Sequence, residues 1–355
     1  MTMLAEHINC EAHEAGLGLA EPTGPDGRLY PVPISSGEIS SGGRIRKAIF
    51  GLSPDETKFR KRGFICDSES IRLHLERVGA AFAFGYNAAL ASDDTENLCR
   101  ILENEALFFR GFAYEGAAMA CAILDGVRVW GGQHWNELLE ASGHAHLYML
   151  YVGKGWAWAR LPFSVMKAIE RSDPLYRWLA VDGYGFHEGY FNWQKYVVRQ
   201  ERPKNLSGYA LKAFDQGLGR SLWFSQGAMP TRVAISMSRF PEGRRNDLWA
   251  GVGLACGYAG GVDDNTICEL IRLSDAYLKA LSQGAAFAAE ARMRAKNLAT
   301  WSPRLIELLC GRPLMDVVGI VRHTRQHLSK DEFPCAYEQW RSALQGRFSP
   351  TRPPS

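Results

Sequence analysis

Asp182-Gly-Tyr-Gly-Phe-His-Glu-Gly189, Phe214-Asp-Gln-Gly-Leu-Gly-Arg-Ser-Leu-Trp223 and Gly251-Val-Gly-Leu-Ala-Cys-Gly-Tyr258 are the stretches whose reading decides the fold. Each carries a Gly-x-Gly pair among small and aromatic residues. The first glycines, Gly183, Gly217 and Gly251, stand 34 residues apart, and Gly153-Lys-Gly155 precedes them by 30. Weaker copies extend the series, with Gly111-Phe-Ala113 lying 42 residues before Gly153 and Gly284-Ala-Ala286 lying 33 after Gly251. A period near 34 residues accommodates a helix, a turn and a second helix. Small residues let two helix backbones approach closely, as stacked hairpins require. The reading is an all-α domain of about six helical hairpins, either an open solenoid or a closed α/α toroid-like array. In that reading the glycine pairs sit at the start of successive hairpins.

Outward from these segments the apolar residues keep a three- and four-residue spacing. Ser68–Leu90, Thr95–Phe109, Phe163–Ala180 and Thr266–Leu281 are expected to be helices. Asp93 or Asp94, and Asp264, are the expected N-caps. Arg232–Met237 is the one β-like piece, and it is equally compatible with a helix. Residues 1–43 are dense in Pro, Gly and Ser and read as a weakly ordered arm. Residues 44–345 form a single helical-repeat domain, and 346–355 a frayed, Pro-rich tail. The basic run Arg44, Arg46, Lys47, Lys58, Arg60, Lys61 and Arg62 reads as a solvated face.

Composition removes several function classes. Lys plus Arg exceed Asp plus Glu by only three (41 against 38), which excludes a strong electrostatic case for nucleic acid. No apolar run has the length of a membrane span, and the N-terminus lacks the basic and apolar regions of a signal peptide. The eight cysteines form no C-x-x-C pair, which points to reduced thiols in a cytoplasmic protein and away from structural zinc. The glycine excess, 36 of 355 residues, is largely placed in the repeated segments and the arm, so it is not low complexity.

Standard catalytic motifs fail. No Gly-x-Gly pair completes G-x-G-x-x-G after a strand, and there is no P-loop. Gly219-Arg-Ser221-Leu-Trp223 lacks the last glycine of a nucleophile elbow. His323 and His327 have no glutamate between them as a zinc protease needs, and His144 and His146 read as solvent or capping groups. Asp93-Asp94 and Asp263-Asp264 have the composition of acidic magnesium sites, but neither continues as D-D-x-x-D. In Arg244-Arg-Asn-Asp-Leu248, Ala250 and Leu254 stand where oxygen ligands are needed. A terpene-cyclase-like isoprenoid enzyme is therefore the lower alternative, and no metal is expected.

Polar residues inside the glycine segments are the candidate site. Aligned on the first glycine of each copy, Glu115 and His187 both fall four residues later, so they are the acid–base candidates, with Asp182 and Glu188 beside His187. Arg220 and Arg245 would orient them or meet a polar end of a ligand, with Asp215 and Asp247 as partners. Tyr86 and Tyr114 would line an aromatic pocket suited to a long unsaturated ligand. The structural alternative is that these charges pair locally, Asp215 with Arg220 and Arg245 with Asp247, because unpaired burial is costly.

The same segments resemble the UnbL family of bacterial domains best known from enediyne biosynthetic clusters. The resemblance rests on Lys61-Arg-Gly-Phe64, Phe84-Gly-Tyr-Asn87, Gly111-Phe-Ala-Tyr-Glu-Gly-Ala-Ala-Met119, Tyr151-Val-Gly-Lys-Gly-Trp156 and Asp173-Pro-Leu175. It continues through Asp182–Gly189, Phe214–Trp223, Arg244-Arg-Asn-Asp-Leu-Trp249 and Gly251–Leu254, covering about residues 50–345. It implies an accessory factor of an iterative enediyne polyketide synthase, acting with a membrane flavoprotein-like partner (UnbU type) and a repeat-containing partner (UnbV type). Together they would turn a linear polyene toward an alkyne-bearing core precursor. The resemblance carries no catalytic residue across, and no flavin, haem, iron–sulfur or di-iron signature identifies a cofactor. The redox chemistry would then belong to a partner, through which the chain would meet a membrane, or the step would be an isomerisation or elimination. The competing class is a non-catalytic helical-repeat scaffold for partner proteins.

Overall fold

The computed structural model describes residues 40–127, 132–142, 144–329 and 335–348. Among them there are 17 α-helices and no strand. Helices α1 (Ser41–Phe50) and α2 (Phe59–Arg62) lead into an alternation of long and short helices. The first half runs α3 (Glu69–Ala91), α4 (Thr95–Glu103), α5 (Leu107–Val127), α6 (His134–Ala141), α7 (Leu147–Trp158) and α8 (Val165–Glu170). After α9 (Arg177–Phe191) a π-helical turn, Gln194–Val198, takes the place of a short helix. Then come α10 (Tyr209–Ser225), α11 (Pro230–Ser238), α12 (Glu242–Ala259), α13 (Asp264–Ser274), α14 (Leu278–Arg294) and α15 (Ser302–Cys310). Helices α16 (Leu314–Gln326) and α17 (Ala336–Gln345) end the described chain.

Expected boundaries hold best where a cap marks them. Ser68 accepts from the Ile71 amide at the start of α3, and Asp94 from the Asn97 amide at the start of α4. The cap of α13 is Asp263, not Asp264, because its carboxylate accepts from the Thr266 amide. Thr95–Phe109, Phe163–Ala180 and Thr266–Leu281 each break into two helices; the last break falls at Asp275, which has φ 40°. Arg232–Met237 is helical, within α11. The arm reading concerns residues outside those described apart from Ser40–Gly43, where α1 begins. Helix α5 is long and apolar enough to cross a membrane, yet it is buried between its neighbours.

The glycine pairs lie in the middle of the long helices, not at hairpin starts, and their spacing explains the packing. Two residues advance about 200° around a helix, so the two glycines face opposite neighbours. The first faces the preceding long helix: a Cβ at Gly153, Gly183, Gly217, Gly251 or Gly284 would collide with the carbonyl of Glu115, Val152, Asp182, Gln216 or Ala250 respectively. The second faces the next: Gly155, Gly185, Gly219 and Gly253 lie against the carbonyls of Ala180, Phe214, Leu248 and Leu281. In α5 the backward-facing glycine is Gly116, which rests on Phe82, whereas Gly111 meets the Tyr258 hydroxyl. The copy aligned on Gly111 is therefore out of register by five residues. From Gly153 onward the backward glycine rests on the residue that precedes the backward glycine of the helix before, and in α3 Ala83 takes the glycine's place, so α3, α5, α7, α9, α10, α12 and α14 pack in parallel at one repeated register.

The late helices also touch the early ones. His74 on α3 hydrogen-bonds through Nε2 to the Ala259 carbonyl at the end of α12, at 2.7 Å. Arg292 on α14 donates to the carbonyls of Phe108, Tyr258 and Asn297 and stacks between the Phe108 and Tyr258 rings. Helix α17 sends Tyr337, Trp340 and Arg341 into the middle of the array, each 2% exposed or less.

Candidate functional site

The residue just before each backward glycine is buried: Glu115, Val152, Asp182, Gln216, Ala250 and Gln283. Four of these six are polar, and they bring a hydrophilic layer into an otherwise apolar interior. Asp182 accepts from Gln216 Nε2 at 2.8 Å and from Arg220 Nη1 at 2.5 Å. Gln216 Nε2 also donates to the Tyr337 hydroxyl at 3.0 Å. Arg220 lies over the Phe186 ring, 4.6 Å from its centroid. Its Nη2 stops 4.0 Å from Glu115 Oε1, which has no hydrogen-bond partner. That separation is an ion pair but too long for a direct hydrogen bond.

Two voids flank this layer. One has Phe82, Phe112, Trp156, Phe186 and Phe224 on its walls, and Glu115 faces it. The other is lined by Val152, Leu179, Leu254, Phe287 and Trp340, and Arg220 faces it. Burial raises the Glu115 carboxyl from its ordinary range to about 7; Asp182 adds to the rise, while Arg220 and the Trp156 indole oppose it. The group is thus able to give or take a proton near neutrality inside an aromatic void.

The remaining sequence candidates separate from this centre. His187 and Glu115 do not form an acid–base pair facing one void. His187 packs against Trp156 and Phe191, its Nδ1 is 3.3 Å from Glu188, and burial lowers its pKa. Glu188 also accepts from Asn192 at 2.9 Å, which makes it a helix-end anchor. Tyr86 donates to the Phe50 carbonyl at 2.9 Å, and Tyr114 stacks on His146 and donates to Glu103 at 3.0 Å; neither lines either void. Arg245 donates to the Phe240 and Ser238 carbonyls and stays away from the voids.

Local pairing fails too, for a geometric reason. Asp215 and Arg220 are five residues apart, about 140° around the helix, and Arg245 and Asp247 are about 200° apart. Their partners come from other helices. Arg244, not Arg220, holds Asp215 with two bonds of 3.0 and 2.6 Å, and Asp247 pairs with Arg341 at 2.8 Å. Burial still pushes the Asp215 carboxyl up despite that pairing. Asp93 pairs with Arg46 and Asp264 with Arg304, while Asp94 and Asp263 cap helices, so these acidic doublets are engaged at the surface. Gln216, Tyr337 and Arg341 escape sequence reasoning because a glutamine before a glycine pair and a C-terminal helix carry no motif. The one signal for them was Gln216 standing directly before Gly217, as Asp182 stands before Gly183.

These features describe an all-helical protein that carries a titratable buried acid between two apolar voids. The chain belongs to the DUF1702 family, described as a protein of unknown function, whose family model matches residues 42–348. No curated protein and no solved structure matches it.

Proposed function

We propose that this chain is an accessory biosynthetic protein of UnbL type that binds a long unsaturated, polyene-like polyketide intermediate and takes part in its conversion toward an enediyne or alkyne core precursor. Glu115 carries the reading: a carboxyl 1% exposed, titrating near 7, with one oxygen unpartnered on an aromatic wall. Flat rings on several sides suit a conjugated chain, and exclusion of water strengthens any charge formed beside it.

The chemistry open to such a site is an isomerisation. The neutral Glu115 gives its proton to one carbon of the conjugated chain, and Arg220 stabilises the carboxylate left behind. The carboxylate then takes a proton from another carbon of the same system. One proton leaves and one returns, double bonds migrate, and no electrons are exchanged. Oxidation to the alkyne would fall to UnbU- and UnbV-type partners. We further read the helix array as a closed, toroid-like ring with a period near 34 residues. His74 with Ala259 and Arg292 with Phe108 support closure, since an open solenoid keeps its early and late helices apart.

The test is complementation in a heterologous cluster lacking this gene. Glu115→Gln is expected to abolish the core product at unchanged melting temperature, while wild-type protein restores it. Full product from Glu115→Gln would remove the acid–base role and favour the scaffold.

A further inference from the structure

Arg220 Nη2 and Glu115 Oε1 stand 4.0 Å apart, a separation that a single oxygen atom can bridge. Arg220 is 7% exposed at its side chain and makes a single hydrogen bond, from Nη1 to Asp182, so its other donors are uncommitted. Glu115 Oε1 is buried and unpartnered. Points 4.0 Å apart can both lie within hydrogen-bond distance, about 2.8 Å, of a common third point. A ligand atom there would accept from Arg220 Nη2 and, when Glu115 is neutral, from its carboxyl hydrogen.

Charge decides which oxygen fits. Asp182 already balances Arg220, and Glu290 on the far wall of the second void is satisfied by Arg294 and Arg322. An anionic oxygen would add an uncompensated charge to a buried site, which is costly. A hydrocarbon would leave the donors unmet. We infer that the site recognises a neutral carbonyl on an apolar chain, its oxygen held between Arg220 and Glu115 and its chain lying in the flanking voids. This rests on the reading of the voids as the site of a long unsaturated ligand, and it adds the functional group that such a ligand must carry.

The test compares methyl undecyl ketone, tridecane and lauric acid on the wild-type full chain, by quenching of tryptophan fluorescence and by the infrared carbonyl stretch of the labelled ketone. The ketone is expected to bind about tenfold or more tighter than tridecane, as a hydrogen bond to a charged group allows, with its stretch moved to lower frequency. Glu115→Gln keeps a donor at the gap, so it is expected to retain the ketone preference even though it abolishes product formation. The charge-neutral pair Arg220→Met with Asp182→Asn is expected to lose the preference and keep tridecane binding. Equal binding of ketone and tridecane would overturn the carbonyl assignment while leaving an apolar site standing. Tighter binding of lauric acid would overturn it in favour of an anion site. An unshifted stretch in bound ketone would overturn it by placing water in the gap. Binding of none of the three would overturn both this inference and the ligand reading beneath it. The ligand series on wild type decides the matter without any variant.

Discussion

Gly217→Ala probes the packing rule from which the whole interior follows. An added Cβ would overlap the carbonyl carbon and oxygen of Asp182 and the amide nitrogen of Phe186, all backbone atoms that no rotamer change can move. Helices α9 and α10 must then separate. Overpacking of this kind costs about 3 kcal/mol, while alanine recovers about 1 kcal/mol of helix propensity, leaving a net loss of about 2 kcal/mol. Gly319 in α16 supplies the control, because a Cβ there meets nothing within 4 Å. Gly319→Ala is expected to stabilise by about 1 kcal/mol. The two substitutions are chemically identical, so the roughly 3 kcal/mol between them measures the helix–helix contact alone. Urea unfolding followed by circular dichroism and tryptophan fluorescence reads both. If Gly217→Ala lies within about 0.5 kcal/mol of Gly319→Ala, the close approach does not exist and the register argument is wrong.

Three further expectations follow from buried charges. Arg292→Met strands the carbonyls of Phe108 and Tyr258, and should lower unfolding free energy by about 3 kcal/mol in denaturant titrations, with Arg292→Lys recovering part of it. Arg244→Ala leaves Asp215 buried with only the more exposed Arg202, 3.7 Å away, to pair with it and should cost about 3 kcal/mol, whereas Arg245→Ala, which touches only two carbonyls at a helix end, should cost about 1 kcal/mol; equal losses by calorimetry would contradict the pairing. Glu115 has a folded-state pKa of about 7, above its ordinary 4.5, so the folded chain keeps a proton that the unfolded chain releases. Stability should therefore fall as pH rises between those values, by about 1.4 kcal/mol per unit, and Glu115→Gln should remove that slope from the pH dependence of unfolding.

The spacing of Gly183, Gly217 and Gly251 made the helical character and the recurrence of a unit legible before any coordinates. What remained hidden was phase. A Gly-x-Gly pair looks the same at a helix start or a helix centre, and only the neighbouring carbonyls reveal that it serves two contacts at once. In α5, Gly111 and Gly116 both sit among small residues, and choosing the wrong one matched Glu115 to His187 when its counterpart is Asp182. Charge pairing was misread for a related reason. Neighbours in sequence point to different sides of a helix, while Arg220 finds Asp182 and Arg244 finds Asp215 on the preceding long helix. Glu115 was found because a carboxylate in an apolar 21-residue helix is conspicuous. Tyr337 and Arg341 were not, since α17 lies outside the repeated segments and contributes by inserting across them.

The same glycines that bring the helices together also determine where chemistry can occur. Backbone contact at one register fixes the residue before each backward glycine at the same inward position on every long helix. Valine and alanine fill that position on α7 and α12, and polar groups fill it on α5, α9, α10 and α14. Polar groups in so confined a layer are stable only when linked, because each lost hydration bond must be replaced. Asp182, Gln216 and Tyr337 are linked to one another, and Gln283 to Arg341. Within this layer Glu115 keeps a carboxylate oxygen without a hydrogen-bond partner while facing a void. A fold that needed the layer only for packing would gain by placing glutamine or leucine there, since burial of an unlinked acid destabilises the folded state at neutral pH. Retention of an acid at that one position in the layer, beside a guanidinium with donors to spare, is the arrangement expected when the missing partner is a ligand.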